Sequence, residues 1–496
     1  MKINTLNKAN IILFVTLFII AFAVVFTSTY NPINFREMHV DSSVYITIAQ
    51  GITRGYLPYK DFVDNKGPLA YLISVPGFFL GSFAGVWLTE LILMFVSVLF
   101  AYKTALFFGN KFNAMLGTIF TFVQLIAFFS VNAGTEEYSL PFLMISFFIF
   151  TKYFFSPKQE ASFFELVILG ICFACAIMIR LNMFPMWVGF CLIIFIESIL
   201  KKHFSLLGKY IAGFFLGIII IFIPLFLYLK LNGIIDDFFT YVIFGGAKQG
   251  FSGGGLKETV KNFYIIFNRN YSFLPLLFGL FFVIIKFKQT YFNYYIGYTI
   301  SCFLMILFLS FSWGDSHYNM VLIPFFIPAI IFLIDIFDSA FSVIKNSKTK
   351  NIILILFFCF IYSEKLIKHL DDLSEFFFEK SWTPLINAGK MIDANTKPGD
   401  KIISLGFNGY IYPFTKRDIA SKYCYQSSGV NYIPGAKDEF ISDILLNKPA
   451  IIVLLNPKDG FNQILYDWHA PILDMIDNEY RLLSNENGFK LYKRND

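Results

Sequence analysis

The chain has 496 residues, of which 56% are hydrophobic, only 15% are charged and 66 are phenylalanine. A soluble globular chain carries about 25% charged residues, so this mixture excludes that class and points to an integral membrane protein. The formal net charge of +6 does not imply a nucleic-acid partner, because Lys and Arg in membrane proteins first report orientation, and no nucleic-acid motif is present.

Lys2 and Lys8 precede an apolar run of roughly twenty residues with no small-residue cleavage site after it, which predicts an uncleaved first span near 9–29. Windows of about twenty residues predict further spans near 83–107, 112–130, 138–155, 163–180, 183–200, 206–230, 271–287, 291–311, 319–340 and 351–363. The expected fold class is thus a polytopic α-helical membrane protein with about eleven transmembrane helices. Lys111, Lys152, Lys158, Lys201, Lys202, Lys286, Lys288, Lys345, Lys348 and Lys350 join Lys2 and Lys8 at one set of alternate span ends. The positive-inside rule makes those ends cytoplasmic, with the N-terminus in and the C-terminus out. The opposite turns "VNAGTEEY" and "SWGDSHYN" contain no Lys or Arg, which agrees.

Three polar regions then face outward: a first loop at 30–82, a loop at 231–268 and a tail at 364–496. The 231–268 loop has a Gly cluster without G-K-[ST], so a flexible flap is expected there rather than a phosphate loop. The tail alternates helical and strand patterns: the strands "KIISLG" and "AIIVLLN", the helices "DEFISDILLNKP" and "FNQILYDWHAPILDMI", and a closing hairpin that turns at Asn485 to Gly488. That predicts a small extracytoplasmic α/β domain at 364–496 after a transmembrane domain at 1–363. No dinucleotide fingerprint follows "KIISLG". Cys172, Cys175, Cys191, Cys302 and Cys359 lie in apolar runs and Cys424 stands alone in the tail, so no disulfide framework is expected and the CxxC reads as packing.

The first loop contains "HVDSSVYITIAQGITRGYLPYKDFVDNKGPLAY", residues 39–71. Val44, Ile48 and Ile52 recur at helical spacing, predicting a short amphipathic helix on the membrane surface. Asp41 suits two roles, the N-cap of that helix or a carboxylate at the membrane boundary placed for proton abstraction. Gly55 and Pro58 end the helix, and Pro68 suits the start of another, whose first amides could face an anion. Lys66 just before it is either a snorkelling anchor or a point charge for a lipid phosphate. Glu136 and Glu137 complement a helix dipole or hold a divalent cation or a sugar hydroxyl; with Tyr45 and Tyr59 they are the candidates for acceptor or metal contact. Arg180 lies on the lysine-poor side, which favours a phosphate partner over a plain anchor. His317 and Tyr318 sit in a tight outward turn, for a structural hydrogen bond or for a phosphate contact.

A first span, then Asp, a short helix ending G-x-x-P-Y-x-D, then K-x-P-L before an apolar stretch, resembles the polytopic lipid-dependent glycosyltransferases of the GT-C class. The likeness is strongest to the bacterial branch related to protein O-mannosyltransferases and the aminoarabinose transferase of lipid A, and "GTEEYSLPF", "IMIRLN", "HYNMVLIP" and the α/β tail extend it over most of the chain. The resemblance implies that Asp41 is the catalytic carboxylate, that Lys66 contacts the donor phosphate, and that Arg180, His317 and Tyr318 surround the phosphate and headgroup. Ser42 stands where the mannosyltransferase branch commonly has an acidic residue, which weakens the case for an Asp-Glu metal role, and Gly67 replaces the first Pro of a K-P-P form. The expected activity is inverting transfer of a sugar from a polyprenyl-phosphate donor to a hydroxyl of a glycan, lipid or protein, at the outer face of a bacterial plasma membrane. It requires no nucleotide cofactor, and a divalent metal is left open. A lipid-linked substrate transporter or flippase, or a cell-wall polysaccharide polymerase or ligase, are the alternatives; polar groups gathered on one face favour surface chemistry over passage.

Overall fold

The computed structural model describes residues 8–34, 39–129, 134–246, 248, 255–311, 314–378, 383–406, 409–426, 430, 433–455, 465, 467–486 and 488–495. Ten helices cover the first half: α1 (Lys8–Phe26), α2 (Val40–Thr53), α3 (Leu69–Leu72), α4 (Val75–Gly81), α5 (Phe83–Ala105), α6 (Lys111–Ile126), α7 (Thr135–Phe155), α8 (Phe163–Ile179), α9 (Pro185–Leu200) and α10 (Phe204–Leu231). Further apolar helices follow at Phe273–Ile285, Phe292–Ser310, Ile323–Ala340 and Ser347–Ile361. Every apolar stretch predicted as a span is therefore helical.

Among the described residues five helices are long and apolar enough to cross a membrane unaided, namely Phe83–Ala105, Thr135–Phe155, Phe204–Leu231, Phe292–Ser310 and Ser316–Val343. The pair Gly255–Tyr271 and Phe273–Ile285 passes the same test only when taken together, and it is bent by 88°, as a broken span or a re-entrant loop would be. A helix such as α8, with 17 residues, is about 26 Å long, a little under the ~30 Å hydrocarbon core. In α10, Ile211, Phe215, Ile219, Ile223 and Leu227 are exposed and recur every four residues, an apolar stripe suited to lipid.

Where helices meet, small residues set the distance. A Cβ on Gly170 of α8 would lie 2.0 Å from the Phe214 carbonyl of α10, and one on Gly217 would lie 2.1 Å from the Val167 carbonyl. Backbone is thus packed on backbone, as close helix pairs in membranes require.

Two expectations for the outer segments are corrected. The amphipathic surface helix is instead a buried one: Ser42 to Ala49 and Gly51 of α2 are all buried, because residues 409–415 of the tail cover the side away from the membrane helices. Gln50 donates to Pro413 O at 3.3 Å and Arg54 to Thr415 O at 3.2 Å. The expected flap at 231–268 is largely helical where described, with a helix at Ile235–Phe238, a π-helix at Phe239–Gly245 and a helix at Gly255–Asn268; Gly253 and Gly254 of its Gly cluster lie outside the described residues.

The tail carries a five-stranded sheet from β1 (Lys401–Ser404), β2 (Asp418–Ile419), β3 (Ile451–Leu455), β4 (Tyr480–Glu486) and β5 (Phe489–Arg494), in the order β2-β1-β3-β5-β4. β1 runs parallel to β2 and β3, while β5 is antiparallel to β3 and β4. The hairpin was legible from its pattern, although Asn487 of its turn lies outside the described residues. Val44, Ile46, Ile48 and Tyr71 of the first loop share one apolar core with Ile402, Ile403, Ile411 and Ile452 of the tail.

Gly170→Val is expected to destabilise the fold by at least the about 1–3 kcal/mol typical of overpacking, visible as a lower thermal midpoint in detergent. Gly208→Ala in the same helix pair, where nothing lies within 4 Å, should leave the midpoint unchanged.

Candidate active site

Asp41 lies in the first turn of α2 but does not cap it. The N-cap is His39, whose Nδ1 accepts the Asp41 amide at 3.3 Å. Ser42 and Ser43 donate back to His39 O and Val40 O, at 3.1 and 2.6 Å. The capping role weighed for Asp41 is thus filled two residues earlier, and its carboxylate makes no hydrogen bond among the described residues. Tyr45 stands one turn on, on the same face of α2. Burial pushes the Tyr45 phenol well above its ordinary value, and the nearby Asp41 and Asp64 carboxylates push it further, so it remains an O–H donor.

Lys66 is placed by a backbone contact. The Gly67 N–H donates to Ile179 O at 3.2 Å, and a Cβ on Gly67 would lie 2.0 Å from Met178 O. Only glycine lets the loop approach the end of α8 this closely, which explains why the first Pro of the K-P-P form is absent here. Lys66 and Arg180 each adjoin one side of that hydrogen bond. The Lys66 carbonyl accepts the Tyr59 hydroxyl at 2.8 Å and the Tyr71 hydroxyl at 3.3 Å, while its ammonium donates to Asn65 Oδ1 at 2.6 Å. Tyr59 therefore holds the backbone of Lys66. The anion cradle expected after Pro68 is not formed: α3 has only four residues, and its Ala70, Tyr71 and Leu72 amides already donate to Gly67 O and Pro68 O.

Arg180 is the C-cap of α8, where the exposed helix carbonyls favour a cation. Its guanidinium forms an ion pair with Glu136 and lies 4.4 Å from the centroid of the Tyr318 ring. The His317 ring is 4.4 Å from that of Tyr318 and 5.8 Å from that of His39. Arg180, His39, Lys66 and Arg269 are the charged neighbours of His317, and Asp41 is among those of Tyr318. The structure thus brings Asp41, Tyr45, Lys66, Glu136, Arg180, His317 and Tyr318 into one cluster.

Glu137, next to Glu136, has other neighbours as well. Adjacent helical side chains do not face the same way. Glu136 is thus paired with Arg180, while Glu137 has Tyr30 and Tyr138 among its neighbours. Among the described residues, no three His, Cys, Asp or Glu side chains are placed to hold a metal ion.

Sequence reasoning passed over Asp64. Its buried carboxylate accepts the Tyr71 hydroxyl on Oδ2 and the Tyr425 hydroxyl on Oδ1, both at 2.7 Å. Burial, then the Asp64 charge, keeps Tyr425 protonated by raising its phenol far above the usual range. The signal for Asp64 was its place two residues before Lys66; Tyr425, in the tail, had none. Arg269, which donates to Gly314 O beside the His317 turn, was also missed.

No protein-family model matches the sequence, and no curated protein matches it. Among solved structures the chain is similar to ArnT from Cupriavidus metallidurans bound to undecaprenyl phosphate, with a TM-score of 0.61 at 11% identity over 98% of each chain. It is also similar to the Archaeoglobus fulgidus oligosaccharyltransferase tethered with an acceptor peptide, with a TM-score of 0.54 at 9% identity over 98% of this chain and 74% of that one. A third is AglB from Archaeoglobus fulgidus in complex with an inhibitory peptide and a dolichol-phosphate, at a TM-score of 0.50, 10% identity, and 90% and 70% coverage. At such identities the likeness is one of fold. The fold is that of the GT-C glycosyltransferases, the class whose pattern the first loop resembles.

Gly67→Ala is expected to cost about 1–3 kcal/mol through the clash with Met178 and to lower the thermal midpoint. An unchanged midpoint would show that the first loop does not touch the end of α8.

Proposed function

We propose that this chain is a membrane glycosyltransferase that transfers a sugar from a polyprenyl-phosphate donor to an acceptor hydroxyl on the extracytoplasmic face of the plasma membrane. The observation that carries this reading is the convergence of a carboxylate that makes no hydrogen bond among the described residues, Asp41, with two cations, Lys66 and Arg180, and with His317 and Tyr318, from segments far apart in sequence. Undecaprenyl phosphate and dolichol-phosphate in the similar structures are ligands of the charge type that Lys66 and Arg180 suit.

Asp41 takes the proton of the acceptor hydroxyl as general base, a contribution of typically 10²–10⁴-fold. The hydroxyl oxygen attacks the anomeric carbon, and the bond from that carbon to the phosphate oxygen breaks, with inversion. The electron pair leaves on the polyprenyl phosphate. Lys66, whose ammonium donates to an amide oxygen among the described residues, and Arg180 stabilise the charge that grows there. His317 and Tyr318 close the phosphate side, and Tyr45 offers an O–H beside Asp41 to orient the acceptor. Because the donor is already activated, no nucleotide enters. Glu136 is engaged by Arg180, so its role is to orient that cation, and the reaction as written assigns it no metal.

Eleven spans, with the N-terminus inside and residues 364–496 outside as a distinct domain, fit this reading. The lysine-rich span ends lie opposite the ends that carry Arg180 and His317, so the reaction belongs on the outer face. The chemistry asks only for an acceptor hydroxyl, on a glycan, a lipid or a protein.

Asp41→Asn should fold as the wild type does and lose at least 10²-fold in transfer of a radiolabelled sugar from its polyprenyl phosphate, with no nucleotide added. Near-normal transfer by the purified variant removes Asp41 from the mechanism. Lys66→Ala should raise the KM for the donor, tested in the same assay.

A further inference from the structure

The face of α2 turned away from Asp41 lines a second cavity. Asp41, Tyr45 and Ile48 share one side of the helix, whereas Thr47, Gln50, Gly51 and Arg54 recur on the other at helical spacing, and these four border a cavity of about 450 Å³ between α2 and the tail. That volume lies in the range of about 300–1,000 Å³ usual for small-molecule pockets.

Its walls are polar but nearly balanced in charge, with five cationic and four anionic side chains. A lining built to hold a phosphate would be dominated by cations; this one offers donors and acceptors in similar number. Two of the carboxylates, Asp418 and Asp443, are half committed, whereas both oxygens of Glu439 are engaged, by Lys422 and Tyr423. Asp418 Oδ1 takes the Tyr56 hydroxyl at 2.5 Å and Asp443 Oδ2 takes the Ser421 hydroxyl at 2.7 Å, and the second oxygen of each makes no hydrogen bond among the described residues. Lys422 is drawn to Glu439 at 2.7 Å, while Arg54 and Lys60 are exposed at the rim. Tyr56 and Phe62, edge to face at 5.9 Å, add apolar ring surface to the same wall.

Neutral polyols match such a lining. Each hydroxyl both donates and accepts, so it can meet free carboxylate oxygens and ammonium groups without adding charge, and the C–H face of a pyranose suits an aromatic wall. We infer that the cavity between α2 and the tail is a carbohydrate-binding pocket, separate from the Asp41 cluster and placed to hold a neutral sugar residue. Only the purpose of that sugar, as part of a glycan-bearing acceptor, rests on the transferase reading; binding does not.

The test is binding without turnover. Full-length protein in nanodiscs, with no donor present, is examined by saturation-transfer NMR against the methyl glycosides of glucose, galactose, mannose and N-acetylglucosamine, and against inorganic phosphate. At least one glycoside should bind, and Asp418→Asn combined with Asp443→Asn should weaken it tenfold or more. The exposed Lys60→Ala, which leaves the fold contacts of both aspartates in place, should weaken it at least threefold. No glycoside bound by the wild type, or affinity unchanged in both variants, overturns the inference. So does phosphate bound in preference to every glycoside and lost in Lys60→Ala, which would make the cavity an anion site. A transfer assay that fails while glycosides bind as expected would count against the transferase reading alone.

Discussion

The site depends on one close approach of two backbones. The Gly67 N–H reaches the Ile179 carbonyl at the last turn of α8, and that hydrogen bond fixes the separation of Lys66 and Arg180 before either side chain chooses a rotamer. Everything charged in the cluster is arranged around it. Tyr59 and Tyr71 hold the Lys66 carbonyl from the loop side, and Glu136 with the Tyr318 ring holds Arg180 from the helix side. Two flexible cationic side chains are thereby anchored at their roots, which reduces the ordering cost of meeting an anion.

α2 is the second constraint, because it works on both faces. Its amino end carries Asp41 and Tyr45 toward the membrane helices, and its other face carries Gln50 and Arg54 toward the tail. The tail returns the contact: the Val63 amide donates to Lys422 O at 2.9 Å, and Tyr425 reaches Asp64. Asp64 is a buried carboxylate with two phenol donors, and such a group tolerates burial only while its acceptors are met. Loss of the tail would strip one of those donors, so the tail contributes to the geometry around Lys66 although it supplies none of the charged groups of the cluster.

The helical stretches were legible because a run of apolar residues records burial in lipid directly, and the closing hairpin because alternation and an Asn-Gly turn are local signals. Residue chemistry singled out Asp41, Lys66 and Arg180 for similar reasons, since a charge in an apolar chain is costly and stands out, and His317 by its place in a tight polar turn. What was not legible came from tertiary contact. The helix from Val40 has an amphipathic pattern that fits a membrane surface, and only the tail folding over it makes it a buried element. Asp64 and Tyr425 are separated by 361 positions, and neither has a neighbour that announces the other. The choice between cap and free carboxylate at Asp41 turned on the ring nitrogen of His39, a residue whose capping role the local pattern did not suggest.

The pairing of Arg180 with Glu136 bears on how the cluster can exchange ligands. The buried Glu136 carboxylate left alone would carry a desolvation penalty of several kcal/mol, so its pairing with the half-buried Arg180 guanidinium lets both groups sit in the cluster. It leaves the Lys66 ammonium, which among the described residues donates to Asn65, as the less compensated of the two cations. In the proposed reaction a leaving phosphate would have to be released after each turnover, which a partly compensated pair of cations favours over two uncompensated ones. On the proposed reaction, one cation compensated by Glu136 and the other met by a neutral amide would let charge be gathered during bond breaking and given up afterwards.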